Sequence, residues 1–225
     1  MSLTVEQIAA IKAFINKRGF NTIEVEMEAL DHMASKVEAL LEEKPDMNFD
    51  LAITKAHADL GVFGFATFED AINSGYAASL RKTRNSELKS YLFGSKGLIT
   101  LAIITIAFSI EKVIPTPNSE EIAAISLYSY GFILLLISVI TNIKVYRKWR
   151  KKSLVIQNIS MTASGGSYLI GQLIKTMIEF ELINQSAIPL VFIVTFSIMT
   201  VNSLISFSII RDAIKSSEEK YLKYA

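Results

Sequence analysis

Within "EMEALDHMASKVEALLEE", Glu26 to Glu43, the residues that could do chemistry are Glu28, Asp31, His32 and Ser35, and His32 is one of only two histidines in the chain. On a helix, residues three or four apart share a face, so Glu28 and His32 stand one turn apart. Two such ligands can begin a divalent-metal site, but a closed site needs a third or fourth ligand from elsewhere. The only evident donors of that kind are His57 and Asp59. His57 falls beside the apolar positions Ile53 and Leu60, which suits a histidine at a core edge better than a ligand. Three readings are open: a metal pair, an intradomain cap, and a solvated face that meets a partner. The third is adopted for Glu28, Asp31, His32 and Ser35, with no metal expected.

Other chemistry is excluded by what the sequence lacks. Without cysteine there is no thiol catalysis, thiolate metal site or disulfide. There is no HExxH, no GxSxG and no pair of carboxylates within one apolar run. Neither "GVFGF" nor "SGGS" follows a strand or carries the Lys-Ser/Thr ending of a phosphate loop. No catalytic residue, no cofactor and no enzyme activity are expected.

The elements that carry these residues follow from periodicity. "TVEQIAAIKAFINKRG" reads as a helix with a Thr4–Gln7 capping box, a stripe of Ile8, Ile11 and Ile15, and Gly19 as its stop. A second helix is expected from Asn21, with Glu24 three residues on, to about Lys44, where Pro45 ends it. It turns Met27, Leu30 and Val37 inward and the four candidate residues outward. A third follows Asn48, burying Phe49, Ile53, Ala56 and Leu60, and stops at Gly61. A fourth is expected from Thr67, with Asp70 completing a capping box and Phe68, Ile72, Tyr76 and Leu80 on one side. In "GVFGF", Val62, Phe63 and Phe65 are too apolar to be left in water and are expected to plug this core.

Half of the residues are hydrophobic, concentrated in four runs: Gly97 to Ile114, Ile122 to Ile143, Leu154 to Ile178 and Ala187 to Ile210. Each approaches or exceeds the roughly 18–20 residues that a helix needs to cross hydrocarbon. No basic leader with a short apolar core precedes them, so the first run is expected to act as its own insertion signal. The second connection holds Lys144, Arg147, Lys148, Arg150, Lys151 and Lys152, whereas "EKVIPTPNSEE" holds one lysine and "EFELINQS" none. Positive connections stay inside, which places both termini in the cytoplasm, with Tyr146 and Trp149 in the inner aromatic belt. The third run is unusually polar. Ser160, Ser164, Ser167 and Gln172, with Asn202 from the fourth run, form a candidate polar face of the bundle. Ala163, Ser167 and Gly171 make a small-residue strip beside it. Lys175 lies one turn before Glu179, where it can snorkel and pair. Ahead of the first run, "NSELKSYLFGSKGLI" is expected to start a helix at Asn85 and to bend at Gly94 and Gly97.

The fold expected is therefore all-α: an acidic four-helix cytosolic domain over residues 1–92, a four-helix transmembrane bundle over 93–212, and a charged tail over 213–225. From Met1 to Leu80 there are 13 acids against 6 Lys/Arg. Such a surface repels phosphate backbones and argues against direct nucleic-acid binding.

The blocks "EALDHMASKVEALLEE" and "FDLAITKAHADLG" resemble the small helical signalling domain called HAAS, found at the cytoplasmic N-terminus of bacterial multi-pass membrane proteins. The matching positions are Glu28, Asp31, His32, Val37 and Glu38, then Ala52, Ala56, Leu60 and Gly61; after the glycine this chain reads "VFGFATFED" rather than the Asp-Pro or Asn-Pro turn frequent in that family. The resemblance covers residues 8–70. It implies a bacterial inner-membrane signalling protein whose domain binds a cytosolic partner such as a PadR-like regulator. The expectation is a non-enzymatic regulatory protein held in the lipid bilayer, with self-association left open. The alternative is a small transporter, or transporter subunit, with a polar path along the third transmembrane helix.

Overall fold

The computed structural model describes residues 2–61, 64–113, 119–149, 152–156 and 166–224. Among them the regular structure is helical, with no strand. In chain order the helices are α1 (Val5–Lys17), α2 (Ile23–Glu43), α3 (Phe49–Ala58), α4 (Ala66–Phe93), α5 (Gly97–Val113), α6 (Ser119–Trp149), α7 (Gly166–Glu179) and α8 (Ile188–Tyr224). Residues 154–156 are also helical. The chain forms two compact units: Met1–Ser79 with Lys148–Gln157 and Ser216–Ala225, and Leu80–Arg147 with Asn158–Lys215.

In the first unit, α1 packs on α2 and α2 on α3. Helix α1 starts where the capping box places it: the Gln7 N–H donates to Thr4 Oγ1 at 3.3 Å and the Thr4 N–H to Gln7 Oε1 at 2.9 Å. It stops at Gly19, whose φ of 92° favours glycine. Asn48 caps α3 by accepting from the Asp50 N–H at 2.8 Å. The core comprises Ile11, Ile15, Ala29, Leu30, Met33, Val37, Ala52, Ile53, Ala56 and Phe65. Each large side chain buried there contributes about 1.5–3 kcal/mol of transfer free energy. Phe65 is in this core as the "GVFGF" reading requires, while Val62 and Phe63 lie outside the described residues. Ile8, expected on the inner stripe, is exposed. Glu26 departs in the other direction: it is buried and pairs with Lys12 at 2.9 Å, tying α2 to α1.

Two helix boundaries differ from expectation. Asn21 does not cap α2; the preceding residue is Thr22, and it makes no side-chain cap bond. Helix α4 opens at Ala66, so Thr67 lies inside the first turn, and its hydroxyl donates to the Gly64 carbonyl at 2.9 Å. The segments expected as separate helices from Thr67 and from Asn85 are one continuous helix of 28 residues, because no glycine pair or proline interrupts it before Gly94. The bend comes where the glycines stand. Helices α4 and α5 meet at 68°, and a Cβ on Gly94 would lie 3.0 Å from the Ser90 Cα, a tight approach that favours glycine.

Among the described residues, Glu121–Trp149 and Gln185–Lys220 are long and apolar enough to cross a membrane, and α4 with α5 makes a third candidate if the bent pair is one span. Helix α5 alone has 17 residues, about 25 Å of rise. The third apolar run enters α7, a helix of 14 residues that ends at Glu179, and residues 157–165 lie outside the described residues. Leu98, Leu101 and Ile106 of α5 and Ile125, Ile133 and Ile140 of α6 are exposed, an apolar surface suited to hydrocarbon. Trp149 was expected at the interfacial belt but is buried, and it belongs to the first unit.

Helix α6 approaches α7 at two glycines. A Cβ on Gly131 would lie 3.3 Å from both the Ser167 carbonyl oxygen and the Tyr168 Cα, and one on Gly171 would lie 3.1 Å from the Leu127 carbonyl oxygen. Backbone neighbours cannot swing aside as a side chain can, so Gly171→Val is expected to cost about 1–3 kcal/mol. Gly75, in α4, has open space around its Cβ position, so Gly75→Ala is expected to stabilise by roughly 0.5–1 kcal/mol. Thermal unfolding of the two variants in the same detergent should move in opposite directions.

Candidate functional site

Helix α2 carries two polar groupings. Glu28, Asp31, His32 and Ser35 are all exposed on it, opposite the core residues Leu30, Met33 and Val37. His32 Nε2 lies 3.4 Å from Glu28 Oε1, and its ring stacks on Phe68 with centroids 5.0 Å apart. Among the described residues the Asp31 and Ser35 side chains have no hydrogen-bond or ion-pair partner. The face thus divides: His32 covers an aromatic at the core edge, while Asp31 and Ser35 point to solvent. Among the described residues no group of three or more His, Asp or Glu side chains is arranged to hold a metal ion.

The second histidine sits elsewhere. His57 meets the Phe65 ring at 4.8 Å and the Phe14 ring at 5.5 Å, both edge-on, and Gly64 leaves the room that its ring takes up. Burial, and secondarily the charge of Arg18, holds its pKa below the usual histidine value. The unfolded chain takes up that proton near pH 6.5 and the folded one only at lower pH. Stability should therefore fall as pH drops below about 6.5, and the loss should level off once pH passes the folded value. Hydrogen exchange of the Ile15 and Met33 amides, corrected for intrinsic rates, should show this loss between pH 7.5 and 5.5, and His57→Phe should abolish it.

The second grouping lies at the start of α2. Glu24 reaches the connection after α6: Ser153 Oγ donates to its Oε1 at 2.6 Å and the Leu154 N–H to its Oε2 at 3.0 Å. The Ile23 N–H donates to the Lys152 carbonyl at 2.9 Å. Ser153 also accepts from the Ile156 N–H at 3.3 Å, which makes it the cap of the helical residues that follow. Its hydroxyl lies 3.2 Å from that of Ser217. One carboxylate thus occupies the N-terminal ends of two helical segments, where the peptide dipoles favour negative charge. The half-buried Tyr76 has its pKa pushed up by burial and then by the Glu24 charge. Lys148 and Glu218 pair at 2.9 Å nearby in the chain, but both are largely exposed, so the contribution is small.

Sequence reasoning missed this clasp. Glu24 was assigned to the start of its own helix. The legible signal was Ser153, a serine standing directly before an apolar run.

The polar residues of the bundle are partly brought together. Ser167 is buried; it donates to the Met199 carbonyl at 3.2 Å, lies 3.0 Å from Ser203 Oγ and accepts from Asn202 Nδ2 at 3.2 Å. Arg84, which no sequence reading placed here, donates to Asn202 Oδ1 at 2.6 Å. Gln172 is exposed, and Ser160, Ser164 and Ala163 lie outside the described residues. Lys175 pairs with Glu179 at 2.7 Å.

No family model, no characterised protein and no solved structure matches this chain.

Glu24→Ala removes the acceptor for Ser153 and Leu154 together. Hydrogen bonds to a charged group contribute about 1.5–3 kcal/mol each, so the variant is expected to lose at least about 2 kcal/mol. Amide exchange at Ile23 and Leu154 should accelerate while that at Ile53 in α3 stays slow.

Proposed function

We propose that this is a non-enzymatic regulatory protein of the bacterial inner membrane. Its four-helix, HAAS-like N-terminal domain is cytosolic and docks a soluble protein, for which the sequence resemblance suggests a PadR-like regulator. Four spans hold it in the bilayer with both termini in the cytoplasm. The observation that carries this reading is the double use of α2: Asp31 and Ser35, which have no partner among the described residues, share a helix with Glu24, which grips the connection after α6. A partner that displaces α2 by even a small amount changes the geometry of two short, charge-assisted bonds. The acid excess of the domain favours a partner with a basic surface.

The transporter alternative needs a polar path along the third apolar run past Ser164 and Gln172, of which residues 157–165 lie outside the described residues. The space lined by Ser167, Ser203 and Ser206 is only about 10 Å³, at the lower limit for a single water. Ser167 is already hydrogen-bonded within the protein. These features favour an anchor or sensor over a conduit.

A photo-crosslinking side chain at Ser35 of the full chain should capture a soluble protein in cells, and Asp31→Ala should reduce that capture severalfold. Because Asp31 is exposed and unpartnered, Asp31→Ala should change stability by under about 0.5 kcal/mol. His32→Ala should cost more, since it uncovers Phe68. Undiminished capture by folded Asp31→Ala would remove this face from consideration.

A further inference from the structure

The second unit contains an open groove of about 560 Å³, within the range of sites that take small molecules. It runs along α8, and most of its lining is aliphatic, including Leu88 of α4, Ile104 of α5 and Val194 and Val201 of α8. Two of its hydroxyls are committed to backbone carbonyls: Thr100 Oγ1 donates to Tyr91 at 2.7 Å, and Ser197 Oγ donates to Ile193 at 2.7 Å. The polar end is Arg84 with Asn202.

That arginine is the unusual feature. Its bond to Asn202 fixes the guanidinium beside a residue fourteen positions after Ile188 and nine before Arg211. At 1.5 Å per residue this is about 13 Å from the basic end of the apolar helix. A cation at that depth is costly unless its charge is answered. Among the described residues no carboxylate lies within ion-pair distance of Arg84, and Glu87, one turn along α4, pairs with Lys96 instead. The guanidinium offers five N–H donors, most of them unused here. Arg81, Lys82 and Lys89 are exposed on the same stretch of helix.

We propose that this groove is a binding site for one anionic phospholipid, its acyl chain lying along the aliphatic wall and its phosphate held by Arg84. An aliphatic wall with donors at one end fits an amphiphile with a single acidic head. The surrounding positive charge prefers a head with net negative charge to a zwitterion. The proposal rests on α8 lying in the membrane and is independent of the α2 docking face.

The full chain is reconstituted in vesicles of equal phosphatidylglycerol and phosphatidylcholine, extracted in mild detergent, and its retained lipid counted by native mass spectrometry. The wild type should retain phosphatidylglycerol over phosphatidylcholine by about tenfold. Arg84→Gln should lose that preference, Arg84→Lys should keep part of it, and Ile104→Trp, which fills the groove with Arg84 intact, should lower retention of both lipids. Excess inorganic phosphate should not strip the lipid, since phosphate has no acyl chain. Equal retention of the two lipids by the wild type, an unchanged preference in folded Arg84→Gln, or displacement by phosphate alone would overturn the site. Should Arg84→Gln fail to fold, undiminished retention by Ile104→Trp overturns it by itself. A failure of capture at Ser35 would leave all of these results in place.

Discussion

The carboxylate of Glu24 ties the connection after α6 to the N-terminal helices. It belongs to α2, yet its acceptors are used by Ser153 and Leu154, about 130 residues later in the chain. The N-terminal ends of helices leave backbone N–H groups without intrahelical partners. Here two such ends share a single negative charge. The arrangement explains why the connection after α6 belongs to the same compact unit as the N-terminal helices.

The same economy of polar groups governs the membrane helices. In hydrocarbon a hydroxyl or amide without a partner is costly, so Ser167, Asn202 and Ser203 satisfy one another and a main-chain carbonyl. Separately, Gly131 and Gly171 let the backbones of α6 and α7 approach closely. Thr105, Ser109, Thr176 and Thr200 return their hydroxyls to the carbonyl four residues earlier, the local solution open to any Ser or Thr on a helix. Arg84 is the exception, because Asn202 supplies an acceptor but no charge.

Function enters where these rules leave groups unanswered. Asp31 and Ser35 point outward without partners, and Arg84 holds a charge without a counter-ion among the described residues. The proposed protein partner would answer the first and the proposed acidic headgroup the second. His32 shows why such readings need coordinates. It shares the face of Glu28, but its ring stacks on Phe68, so it serves the core edge as well as the surface.

By itself the sequence determined the helical class, the acidic segment ahead of apolar runs, the capping of α1, the stops at Gly19 and Gly61, and the bend near Gly94. These are local: a capping box, a positive φ and an i, i+4 pair each involve residues within one or two turns, so their spacing is written directly in the chain. Tertiary structure decided that Glu26 is buried against Lys12, that Glu24 serves Ser153 and Leu154, that α4 runs unbroken from Ala66 to Phe93, and that Arg84 meets Asn202. The Glu24 and Arg84 contacts depend on which surfaces meet across more than a hundred residues, and even the Lys12–Glu26 pair needs two helices to pack. Helical periodicity gives the face on which a polar residue lies, but the partner it meets is fixed only when packing brings a second segment alongside.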